Sequence, residues 1–190
     1  PDGLNYIAIA ELYAAGQWAA AINGYWSPAF SILLAPFVAA GFDGIMAIKL
    51  LNTLIGFVLL FSLSSLCRAL NLSSTISAVL LIVAIPFIAS SAFLNSTPDL
   101  LVVLVLTTYL TCLLRVQKSN QIKMGCLIGI IGFIGYLSKY YLFPFFLLQF
   151  TGTLFLRFIT NSNNGLRLSG YLSGMLVFLF TSSFWIGAIH

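Results

Sequence analysis

Residues 45–67 read IMAIKLLNTLIGFVLLFSLSSLC and are closed by Arg68. The run carries a single charge, Lys49. At about 1.5 Å of helix rise per residue, it is long enough to cross a hydrocarbon core about 30 Å thick with some tilt. Its apolar residues are continuous rather than alternating, which is a spanning helix and not a barrel strand. The rest of the chain is of the same kind. Of 190 residues, 61% are hydrophobic and 6% charged, with a mean hydropathy of +1.07. A soluble domain carries about 25% charged residues, so this chain lacks the charge for a water-facing surface. The expected class is all-α, a polytopic transmembrane helix bundle.

Five more spans are expected beyond the first. They run from about Thr75 to Leu94 with a kink at Pro86, from Pro98 to Leu114, and from Met124 to Leu137, which is short and glycine-rich. The last two are Tyr140 to Leu156 and Leu168 to Ile189. If the six alternate in direction, their ends fall into two sets. Arg68, Arg115, Lys118, Lys123, Arg157 and Arg167 share one side. Asp2, Glu11, Asp43, Asp99, Lys139 and His190 share the other, with Lys49 just inside the first span. All four acids lie on one side and six of the eight basic residues on the other. The positive-inside rule makes the basic side cytoplasmic and turns Asp2 outward. Topology explains the net charge of +4 without nucleic acid. It does not explain Lys49 and Lys139, which oppose the bias.

Upstream of the first span, residues 1–44 form an outward-facing loop, and residues 45–190 form the bundle. Leu4 to Ala15 has helical spacing with Gly16 as its stop, and Ala29 to about Gly41 is a second short apolar helix. Both are too short to cross and read as interfacial. Tyr6, Tyr13, Trp18, Tyr25 and Trp26 suit the headgroup layer. The chain begins at Pro1 and ends directly after an apolar run, so a helix before Pro1 and further chain after His190 are expected. Cys67, Cys112 and Cys126 lie in or beside apolar runs without metal-ligand spacing and read as small buried side chains.

Four outward features carry candidate chemistry. Asp2 reads either as a solvated loop acid or helix cap, or as a general base. Pro98-Asp99 is helix-start chemistry, or an acid at a cavity mouth. Lys139 either snorkels to headgroups or holds a phosphate as a point charge. Tyr25-Trp26-Ser27-Pro28 is an aromatic belt, or a stacking surface for a sugar or headgroup. No phosphate loop, HExxH, paired-cysteine motif or serine elbow is present. No cofactor is implied with certainty. A divalent cation stays open, with Glu11 and His190 as the weak candidate ligands.

In order, these features resemble the first outer loop and following helices of the GT-C glycosyltransferases. The resemblance is to the branch holding protein O-mannosyltransferases, aminoarabinose transferases of lipid A and sugar transferases of rhizobial lipopolysaccharide. It rests on Asp2 with Tyr6, the helix stopped at Gly16, Tyr25-Trp26-Ser27-Pro28, Pro98-Asp99, the glycine-rich run from Gly132 to Ser138-Lys139, and Ser183-Phe184-Trp185. It implies a polyprenyl-phosphate-linked sugar donor, a lipid, glycan or protein acceptor, and transfer on the outer face of a membrane, most simply a bacterial plasma membrane. By the resemblance Asp2 matches the catalytic base, Lys139 a donor-phosphate ligand, and Asp99 an acid of the same cavity, with Tyr6 and Trp26 beside it. The three charged groups are expected to line one outward cavity. Two departures stand out. Gly3 follows Asp2 where many relatives have a second acid, and Ser27-Pro28 replaces the Lys-Pro of aminoarabinose transferases. The alternative function is a transporter or flippase-like carrier of a polar or lipid-linked substrate. Such proteins place ionisable groups near the bilayer midplane, where this chain has almost none.

Overall fold

The computed structural model describes residues 2–115, 121–160 and 168–189, and among these the only regular structure is helix. Pro1, Lys118, Arg167, His190 and the polar stretches 119–120 and 161–165 lie outside the described residues. Three short helices come first: α1 (Asp2–Ala14), α2 (Trp18–Ala21) and α3 (Pro28–Ala39). Six longer ones follow: α4 (Gly44–Ala69), α5 (Ser74–Leu94), α6 (Asp99–Arg115), α7 (Gln121–Ser138), α8 (Leu142–Thr160) and α9 (Leu168–Ile189).

Four of these, α4, α5, α7 and α9, are long and apolar enough to cross a membrane. That is compatible with an integral membrane protein. Two of the six expected spans fall short of that test. α6 has 17 residues with a charge at each end, Asp99 and Arg115. In α8 the described apolar part, Leu142–Leu156, counts as a shorter apolar helix. α5 continues unbroken through Pro86.

The helix ends follow from local chemistry. α1 stops where Gly16 takes φ +74°, and its N–H and that of Gln17 close on the carbonyls of Tyr13 and Leu12. α4 starts on Asp43, whose Oδ2 accepts from the N–H groups of Ile45 (3.1 Å) and Met46 (3.4 Å). It ends on Asn71, held at φ 57° with Leu72 N–H bonded to the Cys67 carbonyl. Ser73 caps α5 through Ile76 N–H.

α6 is the central helix, packed against both α4 and α7. At one end, Asp99 meets Lys139 after α7. At the other, Arg115 donates to Ser65 Oγ at 3.2 Å, and Arg68 donates to the same oxygen at 3.3 Å. Arg68 and Arg115 therefore share one end of the bundle, and Asp99 and Lys139 share the opposite one. Half-buried polar bonds tie the helices between these ends. Ser62 and Thr108 join α4 to α6 at 3.0 Å, Tyr109 donates to Gln149 across α6 and α8, and the Asn52 side chain donates to the Asn95 carbonyl at 3.1 Å. α7 and α9 touch backbone to backbone through Gly125, Gly129 and Gly174. Close approach through small residues supplies helix contact where lipid removes any hydrophobic drive.

The first 44 residues pack into this bundle. Tyr6, Phe30 and Leu34 belong to the same buried cluster as Leu51, Tyr109 and Phe146. α3 lies against α1, α4 and α7, and buried Ser31 donates to the Tyr6 carbonyl at 2.9 Å. α5 is the outlier: 6% of its apolar window is buried, against 44% for α7. Its side chains face outward, as lipid-facing residues do.

Candidate functional site

The end of the bundle that carries Asp99 also gathers α1 and the 23–28 loop. α7 closes with Lys139 N–H on the Gly135 carbonyl (3.0 Å), and Leu142 N–H returns to the Lys139 carbonyl (3.0 Å). Lys139 is thus pinned in a tight turn just past the C-terminus of α7, where a cation is favoured. Asp99 opens α6, at the end where an anion is favoured. Thr97 Oγ1 donates to Asp99 Oδ2 at 2.5 Å, and Lys139 Nζ lies 3.5 Å from Asp99 Oδ1. Lys139 is 25% exposed and Asp99 56%. A pair this open to water contributes little stability, about 0–1 kcal/mol. Its consequence is positional: the Lys139 ammonium is held beside the start of α6. Lys139 Nζ also stands 6.0 Å from the centre of the Tyr141 ring.

Tyr6 lies beneath this pair. Its ring is 3% exposed and meets Trp26 edge-on at 5.2 Å and Phe30 at 5.5 Å. Burial pushes its hydroxyl up to about 12, and the Asp2 and Asp99 carboxylates add to the rise. Both acids therefore act on one phenol. Asp2 is exposed in the first turn of α1, with no ion pair to a described residue. Gly3 fixes where that turn sits, because any side chain there would overlap Ser96 in the α5–α6 connection. Asp2, Asp99, Lys139, Tyr6 and Trp26 are gathered at one end.

A cleft of about 340 Å³ opens between α1, α4 and the end of α5, and Gly3, Ile7, Ile45, Lys49 and Ser96 are in its wall. Asp2, Asp99 and Lys139 do not line it. Glu11 is exposed, nine residues along α1 from Asp2, or about 13 Å by helix rise. Among the described residues no three His, Cys, Asp or Glu side chains converge, and His190 lies outside them.

Ser27 and Tyr140 were not legible as partners. Ser27 Oγ is buried and accepts from Tyr140 N–H at 3.0 Å. The Tyr140 hydroxyl donates to the carbonyls of Asn23 (3.0 Å) and Trp26 (3.3 Å). Asn23 Oδ1 in turn accepts from the N–H groups of Tyr25 and Trp26. This clamp seats Trp26 over Tyr6 and locks the loop to the α7–α8 turn that carries Lys139. Burial raises the Tyr140 hydroxyl, and the Trp185 indole opposes part of the rise. Their geometry falls short of a formed hydrogen bond, so Trp185 Nε1 is a buried donor without a partner among the described residues.

Comparison with known protein families, curated proteins and solved structures found no match.

The Tyr6 environment yields a pH test. The folded state holds the proton more tightly than the unfolded chain, whose phenol titrates near 10. Its contribution is whole below pH 10 and is lost as pH rises toward about 12. Melting temperature should therefore fall more steeply over that window in the wild type than in Tyr6→Phe. One group changes the slope by at most about 1.4 kcal/mol per pH unit. Parallel curves for the two proteins would place Tyr6 in water.

Proposed function

We propose that this chain is the membrane part of a glycosyltransferase that moves a sugar from a polyprenyl-phosphate donor to a lipid, glycan or protein acceptor. In this reading α6 and α8 complete a six-span bundle, and the end carrying Asp99 and Lys139 faces outward from a bacterial plasma membrane. The observation that carries the proposal is the ion pair between Asp99 and Lys139 at 3.5 Å, at the same end as Asp2 and the aromatic pair Tyr6 and Trp26. The charge bias of the loops and the resemblance to GT-C enzymes support the same reading.

The chemistry assigns a role to each group. The acceptor hydroxyl gives its proton to the Asp2 carboxylate as its oxygen attacks the anomeric carbon. The bond from that carbon to the phosphate oxygen breaks, and the electron pair leaves with the polyprenyl phosphate. Lys139 stabilises the growing negative charge. Asp99 holds Lys139 in place before the donor arrives and yields it to the phosphate. Trp26, held from below by the buried Tyr6, offers an aromatic face against which a sugar ring can pack. The resemblance to GT-C enzymes implies inversion at the anomeric carbon, without an enzyme-bound intermediate.

Against the carrier alternative, the described charged side chains lie within about a turn and a half of a helix end, Lys49 the deepest, whereas a transport site calls for them near the midplane. The test is sugar transfer from a polyprenyl-phosphate donor by the full-length protein in vesicles. Lys139→Gln should lower transfer about 100-fold, the scale of losing one preorganised group at a developing charge. Lys139→Arg should keep part of it. Equal rates for wild type and Lys139→Gln would overturn the assignment of the phosphate to this lysine.

A further inference from the structure

The cleft between α1, α4 and the end of α5 has neither Asp99 nor Lys139 in its wall, and the transfer reading makes no use of it. We propose that it binds a phosphate-headed lipid, entering sideways from the outer leaflet, with the phosphate on Lys49 and the upper chain against Ile7, Ile45 and Phe93. Its volume of about 340 Å³ is within the range of ligand pockets, about 300–1,000 Å³. Its walls are apolar over most of their area, with polar groups confined to Lys49, Asn95 and Ser96. Ile45, Phe93 and Leu94 at the mouth are exposed, Leu94 by 80%, so the opening presents hydrocarbon-compatible surface. A water-soluble anion would have no use for such walls, and a neutral apolar ligand no use for Lys49. A lipid with an anionic head uses both.

Lys49 itself is the second observation. It stands five residues into α4, about 7.5 Å below the helix start, at the depth where a long ammonium side chain reaches the phosphate layer. It is exposed and has no ion pair with any described residue. The nearest acid in the chain, Asp43, is committed through Oδ2 to capping α4. Lys49 also opposes the loop charge bias, so orientation in the membrane does not account for it. Lys139, the other outer lysine, is already paired. Lys49 is thus the free point charge beside an apolar slot, the arrangement that recognises a lipid phosphate.

Native mass spectrometry of the full-length protein from neutral detergent tests this with dioleoylphosphatidic acid, and with dioleoylglycerol as the same chains without the phosphate. Phosphatidic acid should be retained and dioleoylglycerol should not. Lys49→Gln should weaken retention about tenfold, the scale of one charge-assisted hydrogen bond, and Lys49→Arg should restore most of it. Ile45→Trp, which fills the slot, should weaken it as well. Lys123→Gln, on α7 at the opposite end, should leave it unchanged. Equal retention by wild type and Lys49→Gln would overturn the proposal. So would equal binding of dioleoylglycerol, full displacement by millimolar inorganic phosphate, or a loss on Lys139→Gln with none on Lys49→Gln.

Discussion

Gly129→Leu yields little or no folded protein. Gly125 and Gly129 are one helical turn apart on α7, and Gly170 and Gly174 stand in the same relation on α9. A Cβ at Gly129 would overlap the Gly174 carbonyl oxygen and lie 3.1 Å from both Gly174 C and Val177 Cβ. A Cβ at Gly125 would overlap the Gly170 carbonyl oxygen, and one at Gly174 would lie 2.7 Å from the Gly125 carbonyl oxygen. These obstacles are mostly backbone, so no rotamer change relieves them. The helices must separate, and the packing between them is lost along their length. Overpacking a tight core costs about 1–3 kcal/mol when side chains can shift; here they cannot, and the loss should exceed that range. Gly129→Ala should already lower the melting temperature in detergent by several degrees. Gly187→Ala on the same α9 has nothing within 4 Å and should be neutral or slightly stabilising, since alanine is the better helix former by about 1 kcal/mol. Equal melting of Gly129→Ala and Gly187→Ala would contradict the backbone contact.

The second large effect belongs to Asp2. In the proposed reaction its carboxylate takes the acceptor proton, and asparagine keeps the size while removing the base. General-base contributions run to about 10²–10⁴ in rate, and Asp2→Asn should lose transfer on that scale. Asp2 is exposed in the first turn of α1, so the substitution removes at most a favourable charge at the helix start, about 0.3–1 kcal/mol. Expression and melting should therefore stay close to wild type. That separation of rate from stability is what distinguishes a base from a helix-start acid.

Much of the fold could be read from local chemistry. Gly16 marks the end of α1, Asp43 and Arg68 bracket α4, and the loop charges sort onto two ends that the contacts of Asp99, Lys139, Arg68 and Arg115 reproduce. What escaped reading depends on residues far apart in the chain. The glycines of α7 make sense only against α9, some 45 residues later. Ser27 looked like a departure from a family motif, yet it anchors Tyr140, 113 residues away. Asp99 and Lys139 were each legible as candidates, but their pairing was not. The close approach of Gly3 to Ser96 was not legible either, since it joins residues 93 apart in the chain. Lys49 was legible only as an exception to the charge bias, and the cleft beside it needed three helices to be assembled.

The central claim is that the outer end of this bundle performs sugar transfer with Asp2 as base. Its most direct measurement is single-turnover transfer from a polyprenyl-phosphate sugar by full-length wild type, Asp2→Asn and Asp2→Glu at matched protein levels, with donor binding measured alongside. The account predicts donor binding within about threefold of wild type in Asp2→Asn, transfer reduced at least about 100-fold, and partial recovery in Asp2→Glu. Unchanged transfer by Asp2→Asn, with the protein folded and the donor bound, would contradict it.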